Sequence, residues 1–507
     1  MAAPTLPASA RPGAAVVNPA AREHAWVIAL RAIAALVALG LAGHLFVLLW
    51  AQHDFTPVEA LVVLHANMFA HGQGLYWGVN RYPYTISAYG PIFYAVSGFL
   101  HKWGVPAYQS GRILSFAALF TSLWLCWQAL GYLTRNAFAR VTAVILAAST
   151  ANILYWGTTG QVDMLACCFS LAALTLFLKF LRQRDDRALA LAGVFVILAV
   201  FTKQTFLAAG AAIGITLLWE DRRRALLWIG SVALAGGAIA LALNRATHGG
   251  FFADAIFANI NPFALFKLEQ HAQYLLLTGA GVIVTALAGL GRLSRHNAPP
   301  FIYAALATCV WLLTAPKIGS DLNYQMELML ALSICAGCAL DRLDFFPGVF
   351  MNRRTWVTLL QMPLLLHVAL NVVLTARALA ERVLLEPFKR QETVALEPYA
   401  GRPGRLFSIQ YDSLVHYRGS IDVEPLIYTL VVRAGLTDPE PVRRDLAERK
   451  FAAVVLGENL FAAPPAVRDP ELVTLPDAQA DAIRENYRLI AHPDGPNSVY
   501  IYEPRRD

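Results

Sequence analysis

Six ionisable residues mark one end of the long apolar runs in this chain: Asp54, Glu59, Asp163, Lys203, Asp321 and Glu327. Carboxylates gathered with a lysine at a membrane surface can move protons. A carboxylate kept partly out of water by lipid and aromatic neighbours has its pKa raised toward a useful value, where it can take the proton of an acceptor hydroxyl. Asp54 follows the first apolar run within a few residues and Glu59 stands on the first turn of the next helix, so the two are catalytic candidates. The plainer reading is that they cap and solvate helix ends. Asp163, in TTGQVDMLACCF, opens a span and is the third candidate; taken alone it is a helix N-terminal charge.

Lys203, in VFTKQTF, is the only basic residue of its connection. An ammonium at the membrane surface suits a lipid-borne phosphate, and Arg81 can serve the same anion. The alternatives are a snorkelling lysine and an exposed loop arginine. Glu327, in GSDLNYQMELML, sits about one turn inside an apolar helix, where a charge costs about 2.5–3.5 kcal/mol near the bilayer centre. Its functional reading is a pocket wall, with Asn323 and Tyr324 orienting a hydroxyl-rich ligand; its structural reading is a pairing with a neighbouring helix. Tyr82 and Tyr89 can stack on a sugar ring, although Tyr also forms interfacial belts.

No metal is read from the histidines: His44, His65, His71, His248 and His271 are scattered, without an i, i+4 pair or a Cys/His cluster. The six cysteines fall within apolar runs and read as buried small side chains. Neither a phosphate-cradling Gly-rich loop nor a dinucleotide fingerprint is present, so no cofactor is expected.

The elements that must hold these residues follow from composition. The chain has 507 residues, of which 57% are hydrophobic and only 15% charged, with a mean hydropathy of +0.49, so it reads as a polytopic membrane protein with a helical bundle. Apolar runs occur near 25–50, 108–131, 138–157, 162–182, 188–202, 205–219, 225–243, 272–291, 299–315, 324–341 and 355–378. That pattern predicts about 11–13 spans. With a cytoplasmic amino terminus, Arg135 and Arg140, Arg182 to Arg187, Arg222 to Arg224, Arg292 and Arg295, and Arg342 to Arg354 all lie in inside loops. The connections 51–107, 244–271 and 316–323 and everything beyond 378 then lie outside.

Residues 1–22, rich in Ala and Pro, read as a disordered cytoplasmic tail, and 23–380 as the membrane domain. Within the first outer loop, 57–71 and 86–103 predict two helices lying on the membrane surface. Residues 387–507 carry 15 Lys/Arg against 18 Asp/Glu, so the net charge of +7 comes from the part before them. The basic balance reports topology and gives no sign of nucleic acid. RLFSIQY, FAAVVLG and SVYIYEP predict strands, and PVRRDLAERK and DAQADAIRENYRL helices, making a small outer α/β domain.

The order of these features resembles a known family. An Asp soon after the first span, SAYGPIFYAV in the first outer loop, GRILSF opening a span, then WGTTGQVDMLA, FTKQTF and NYQMEL are similar to the bacterial branch of the C-type, membrane-integrated glycosyltransferases. That superfamily includes protein O-mannosyltransferases and lipid A aminoarabinose transferases. The resemblance implies an inner-membrane enzyme with a polyprenyl-phosphate sugar donor, an outward-facing site, inversion at the anomeric carbon, and Asp54 as general base. Glu59 and Asp163 would then position groups or bind acceptor, Lys203 and Arg81 would hold the donor phosphate, and the acceptor would be a glycan, lipid or protein. Where relatives have adjacent Asp-Glu, this chain separates Asp54 and Glu59 by four residues, and FTKQ replaces the usual TKG. The alternative is a transporter or flippase of lipid-linked glycans, which should show related halves and charges near the midplane. No halves are evident.

Overall fold

The computed structural model describes residues 19–259, 261–341, 353–462, 475–492 and 499–506. Most of the expected tail, and Arg342, lie outside the described residues; residues 19–22 already belong to the first helix. The chain opens with α1 (Pro19–Trp50), then the two short helices of the first connection, α2 (Pro57–Ala70) and α3 (Pro91–Lys102). It continues through α4 (Ala107–Leu133), α5 (Ala137–Ser149), α6 (Ala151–Trp156), α7 (Val162–Gln183), α8 (Asp186–Thr202), α9 (Ala208–Glu220) and α10 (Arg222–Ala246). A short α11 (Gly250–Ala255) precedes α12 (Leu265–Ala288), α13 (Ala298–Thr314), α14 (Met326–Leu340) and α15 (Arg353–Ala400).

Every expected apolar run falls on these helices, with 138–157 shared between α5 and α6. Six of them, α1, α4, α7, α10, α12 and α15, are long and apolar enough to cross a membrane. The other five main helices have 13 to 17 residues, short of the roughly 20 that a full crossing takes.

Two corrections concern helix fate. α2 does not lie on an open surface: ten of its 14 residues are buried, and it packs against α3, α4 and the C-terminal unit. Its sequence, PVEALVVLHANMFA, is apolar on nearly all sides, and such a helix is stable only when enclosed. α15 is 48 residues long and runs past the expected boundary at 387, through Pro387, to Ala400.

The C-terminal unit follows as β1 (Arg405–Ser408), α16 (Tyr411–Tyr417), α17 (Pro425–Arg433), α18 (Glu440–Ala447), β2 (Phe451–Leu456), α19 (Asp477–Asn486), β3 (Tyr487–Ala491) and β4 (Tyr500–Pro504). Its sheet has the order β1-β2-β4-β3, with β1 and β2 parallel and the other two pairings antiparallel. The predicted helix DAQADAIRENYRL stops at Asn486, and its end becomes β3. Tyr487 and Leu489 pair with β4 there, a non-local gain that overrides local helical spacing.

The long connections meet at one end of the bundle, as the positive-inside pattern requires. Gln204 donates to the carbonyls of Ala88 (3.0 Å) and Ala255 (2.7 Å), and the Ala264 amide to Pro316 (2.7 Å). Tyr84 exchanges backbone hydrogen bonds with Asp422 and Glu424 at 2.8 and 2.9 Å, which docks the C-terminal unit on the first connection. The arginine-bearing loops meet at the other end, where Arg184 lies 3.5 Å from Glu220 and Arg224 lies 3.6 Å from Asp186. A cavity of about 430 Å³ there is lined by Leu218 to Arg222 and Arg295.

Gly90, before α3, touches the end of α8 so closely that an added Cβ would fall 1.8 Å from the Phe201 carbonyl oxygen. Both partners are backbone and neither can step aside. Gly90→Ala is therefore expected to cost about 3 kcal/mol or more, seen as loss of the folded peak in size-exclusion chromatography.

Candidate functional site

The loop 51–56 leaves α1 and is fixed before α2 begins. Thr56 caps α2, its Oγ1 accepting the Glu59 amide at 3.2 Å, with Pro57 in the first turn. Glu59 is fully buried and receives Arg112 on both oxygens, Nε to Oε1 at 2.9 Å and Nη2 to Oε2 at 3.0 Å. The amides of Gly160 (2.7 Å) and Phe55 (2.9 Å) donate to the same carboxylate. Arg112 also donates to the carbonyls of Leu48 (3.0 Å), Ala51 (2.7 Å) and His53 (2.6 Å). Burial pushes the Glu59 carboxyl up, but the Arg112 guanidinium and the two amides outweigh it and hold the group below its usual range. Both oxygens of Glu59 are thus engaged, and it positions the loop instead of meeting an acceptor.

Asp54 is placed differently. It is 6% exposed and lines a cavity of about 590 Å³ with Phe55, Pro57, Lys389, Thr393, Gln410 and Asp412 among its walls. Lys389 forms an ion pair with its carboxylate and donates to its carbonyl at 2.6 Å. Burial raises the Asp54 carboxyl to about 6; Lys389 opposes that rise, and the charges of Asp412 and Glu59 add to it. A carboxyl raised to about 6 can exchange a proton close to neutral pH.

The partners of Asp54 come from α15 and α16. Arg382, Glu386, Lys389 and Thr393 recur at intervals of 4, 3 and 4 residues, which puts them on one helix face. Glu386 accepts the Gln52 amide at 3.0 Å, and Thr393 donates to Asp412 at 2.5 Å. Arg382 is 4% exposed and lies over Phe55 (4.5 Å) and Tyr155 (4.3 Å), and no carboxylate pairs with it among the described residues. Asp412 accepts from Tyr108 (2.5 Å), His53 (2.9 Å) and the Asp54 amide (3.2 Å).

A second centre joins five of the expected residues. Lys203 Nζ lies 2.6 Å from Asp163 Oδ1, and Asn323 donates to Asp163 Oδ2 at 3.0 Å. The ammonium stands 4.1 Å from the Tyr324 ring centre and 5.4 Å from that of Tyr89. Lys203 is 2% exposed and its charge is taken by Asp163. It does not line the Asp54 cavity. The two centres are tied through the 157–163 turn, where Gly160 bonds Glu59 and Gln161 donates to Thr56 at 2.8 Å. Asn323→Ala removes a hydrogen bond to a buried charge and is expected to cost about 1.5–3 kcal/mol, read as a lower thermal midpoint in detergent.

Three expected pocket or phosphate residues lie elsewhere. Glu327 is inside the bundle, accepting the Tyr303 hydroxyl at 3.0 Å, a pairing with a neighbouring helix. Arg81 is exposed. The Tyr82 hydroxyl donates to Asp422, and Arg405 covers its ring at 3.9 Å, so Tyr82 docks the C-terminal unit. Sequence reasoning missed Arg112, Lys389, Arg382, His53 and Asp412. A lone arginine at the start of a span could have flagged Arg112, and the D-x-x-x-H spacing could have flagged Asp412 with His416.

Comparison with known proteins follows this geometry. Residues 91–247 match the family described as dolichyl-phosphate-mannose-protein mannosyltransferase. No curated protein matches the sequence. The fold is similar to ArnT from Cupriavidus metallidurans bound to undecaprenyl phosphate, with 14% identity, a TM-score of 0.59, and coverage of 94% of this chain and 98% of that one. The apo state of the same protein gives 15% identity, the same TM-score of 0.59, and coverage of 95% and 98%. Arabinofuranosyltransferase AftD from Mycobacteria is similar at 16% identity and a TM-score of 0.51, over 94% of this chain and 40% of that one. The chain thus has the fold of the C-type, membrane-integrated glycosyltransferases over nearly its whole length, and its residues 91–247 carry the sequence pattern of the dolichyl-phosphate-mannose-protein mannosyltransferase family.

Proposed function

We propose that this chain moves a sugar from a polyprenyl-phosphate donor to an acceptor hydroxyl at the outer face of the bacterial inner membrane. The observation that carries the reading is Asp54: a buried carboxylate with a raised pKa, in the wall of a cavity between the membrane helices and the C-terminal unit. The acceptor oxygen attacks the anomeric carbon, its proton passes to Asp54, and the bond from that carbon to the phosphate oxygen breaks with inversion. The lipid phosphate leaves with the bonding electrons. Lys389 stands in the cavity wall paired with Asp54, and Arg382, two turns earlier on the same face of α15, has no carboxylate within ion-pair distance among the described residues. The Asp163–Lys203 pair with Asn323, Tyr89 and Tyr324 is a second buried centre, tied to the Asp54 loop through Gly160 and Gln161. A lipid-phosphate donor is supported by the similar fold of ArnT, whose structure holds undecaprenyl phosphate. The acceptor is a glycan, a lipid or a protein.

The test is transfer by the purified chain from labelled polyprenyl-phosphate sugars. Turnover is expected to rise with pH through about 6, because the base form of Asp54 is populated above its pKa and lost below it. A pH-independent rate between 5 and 8 would remove Asp54 as base. Movement of the lipid across proteoliposomes without any transfer product would favour a flippase.

A further inference from the structure

His53, Asp412 and His416 each offer one ligand atom, and the three atoms lie within 4.8 Å of one another. His53 Nδ1 is 2.9 Å from Asp412 Oδ2, and His416 Nε2 is 3.8 Å from Asp412 Oδ1. In a tetrahedral zinc site with bonds of about 2.0–2.2 Å, neighbouring ligand atoms stand roughly 3.3 Å apart. The two separations bracket that value, so small side-chain shifts would seat an ion.

Three observations separate this cluster from an ordinary ion pair. Asp412 is held in place by hydroxyls from Tyr108 and Thr393, both at 2.5 Å, the outer support that fixes metal ligands. The His416 ring turns its Nε2 edge toward Asp412 Oδ1 and stands with its centre 4.9 Å from that of the His53 ring. Glu386 acts electrostatically on both imidazoles. Its Oε1 accepts the Gln52 amide at 3.0 Å, whereas its Oε2 is buried without a hydrogen-bond partner among the described residues. Glu386 stands outside the three atoms that lie within 4.8 Å of one another, so its bare oxygen is a nearby anion for a bound cation and not one of the gathered ligands.

We propose that His53, Asp412 and His416 bind a zinc-type divalent cation, with water in the fourth position and the Glu386 carboxylate adding negative charge nearby, and that the ion clamps the C-terminal unit to the loop carrying Asp54. Two imidazoles and one carboxylate favour zinc over magnesium or calcium, which take oxygen ligands. The ion replaces the proton shared by His53 and Asp412, and that proton is released to solvent. The ligands come from the 51–56 loop and α16, so one ion joins two segments that are distant in sequence.

The experiment uses the full chain in detergent, stripped with a chelator and titrated with Zn²⁺ alone, with no sugar donor present. That makes it independent of the transfer reading. Expected are one equivalent of bound zinc by mass spectrometry, a higher thermal midpoint, and with Co²⁺ the visible absorption of a four-coordinate site. His416 is exposed, so His416→Gln is expected to fold with the metal-free midpoint of the parent. It should lose zinc affinity by about 100-fold or more, since outer partners alone are worth 10–100-fold, and Glu386→Gln should give a smaller loss. Failure of the parent to retain zinc at equimolar addition would overturn the proposal. Equal zinc binding by the parent and His416→Gln would do the same.

Discussion

Asp54→Asn is expected to lower turnover by about 10²–10⁴-fold, the usual contribution of a positioned general base, while leaving the chain folded. The carboxamide keeps the shape of the side chain and one oxygen for Lys389, but it cannot take a proton at neutral pH. Lys389 also keeps its 2.6 Å hydrogen bond to the Asp54 carbonyl, so the loop retains its tie to α15. The informative measurement is single-turnover transfer with saturating donor, compared with the thermal midpoint of the same preparation. A rate within a few-fold of the parent would end the base assignment. The surviving activity of Asp54→Asn should also lose the rise through pH about 6 that the buried carboxyl imposes on the parent.

Glu59→Gln is expected to have the largest effect on stability, about 3–5 kcal/mol, because it leaves the Arg112 guanidinium buried without its anion. Arg112 and Glu59 are both fully enclosed, so water cannot stand in for the missing charge. Arg112→Met should cost a similar amount for the complementary reason: the carbonyls of Leu48, Ala51 and His53 lose their donor. The double variant should cost less than the sum of the two, since each single change already breaks the same contact. It should not return to the parent, because glutamine keeps only one of the two acceptor oxygens and one of the amides of Gly160 and Phe55 would then face an NH2 group. Strict additivity in denaturation midpoints would show that the pair does not act as one unit.

These two residues mark the limit of what spacing can tell. Asp54 and Glu59 lie in one short segment and both read as catalytic candidates, Asp54 as base and Glu59 as a positioning or acceptor-binding group, yet one lines a cavity and the other is closed inside a guanidinium knot. The difference is made by Arg112 and Gly160, from helices and turns that the local sequence does not reach. The Asp163, Lys203, Asn323, Tyr324 and Tyr89 group was legible because each member stands at or next to a helix end on the same side of the bundle, and helices packed side by side bring those ends together. Arg81 and Tyr82 belonged to a loop, where no such geometry holds them, and Tyr82 was claimed by Asp422 and Arg405 of the C-terminal unit.

The amino-acid sequence by itself determined the helices of the bundle, the end at which the carboxylates collect, and three of the four strands. Hydrophobic periodicity and the cost of burying charge act over a few residues, so they can be read locally. Tertiary structure alone decided which carboxylate stays available and which cations and imidazoles surround it. Lys389, Arg382 and Asp412 meet the Asp54 loop across more than 300 residues of chain, and no local rule records a pairing whose energy exists only once the bundle has closed.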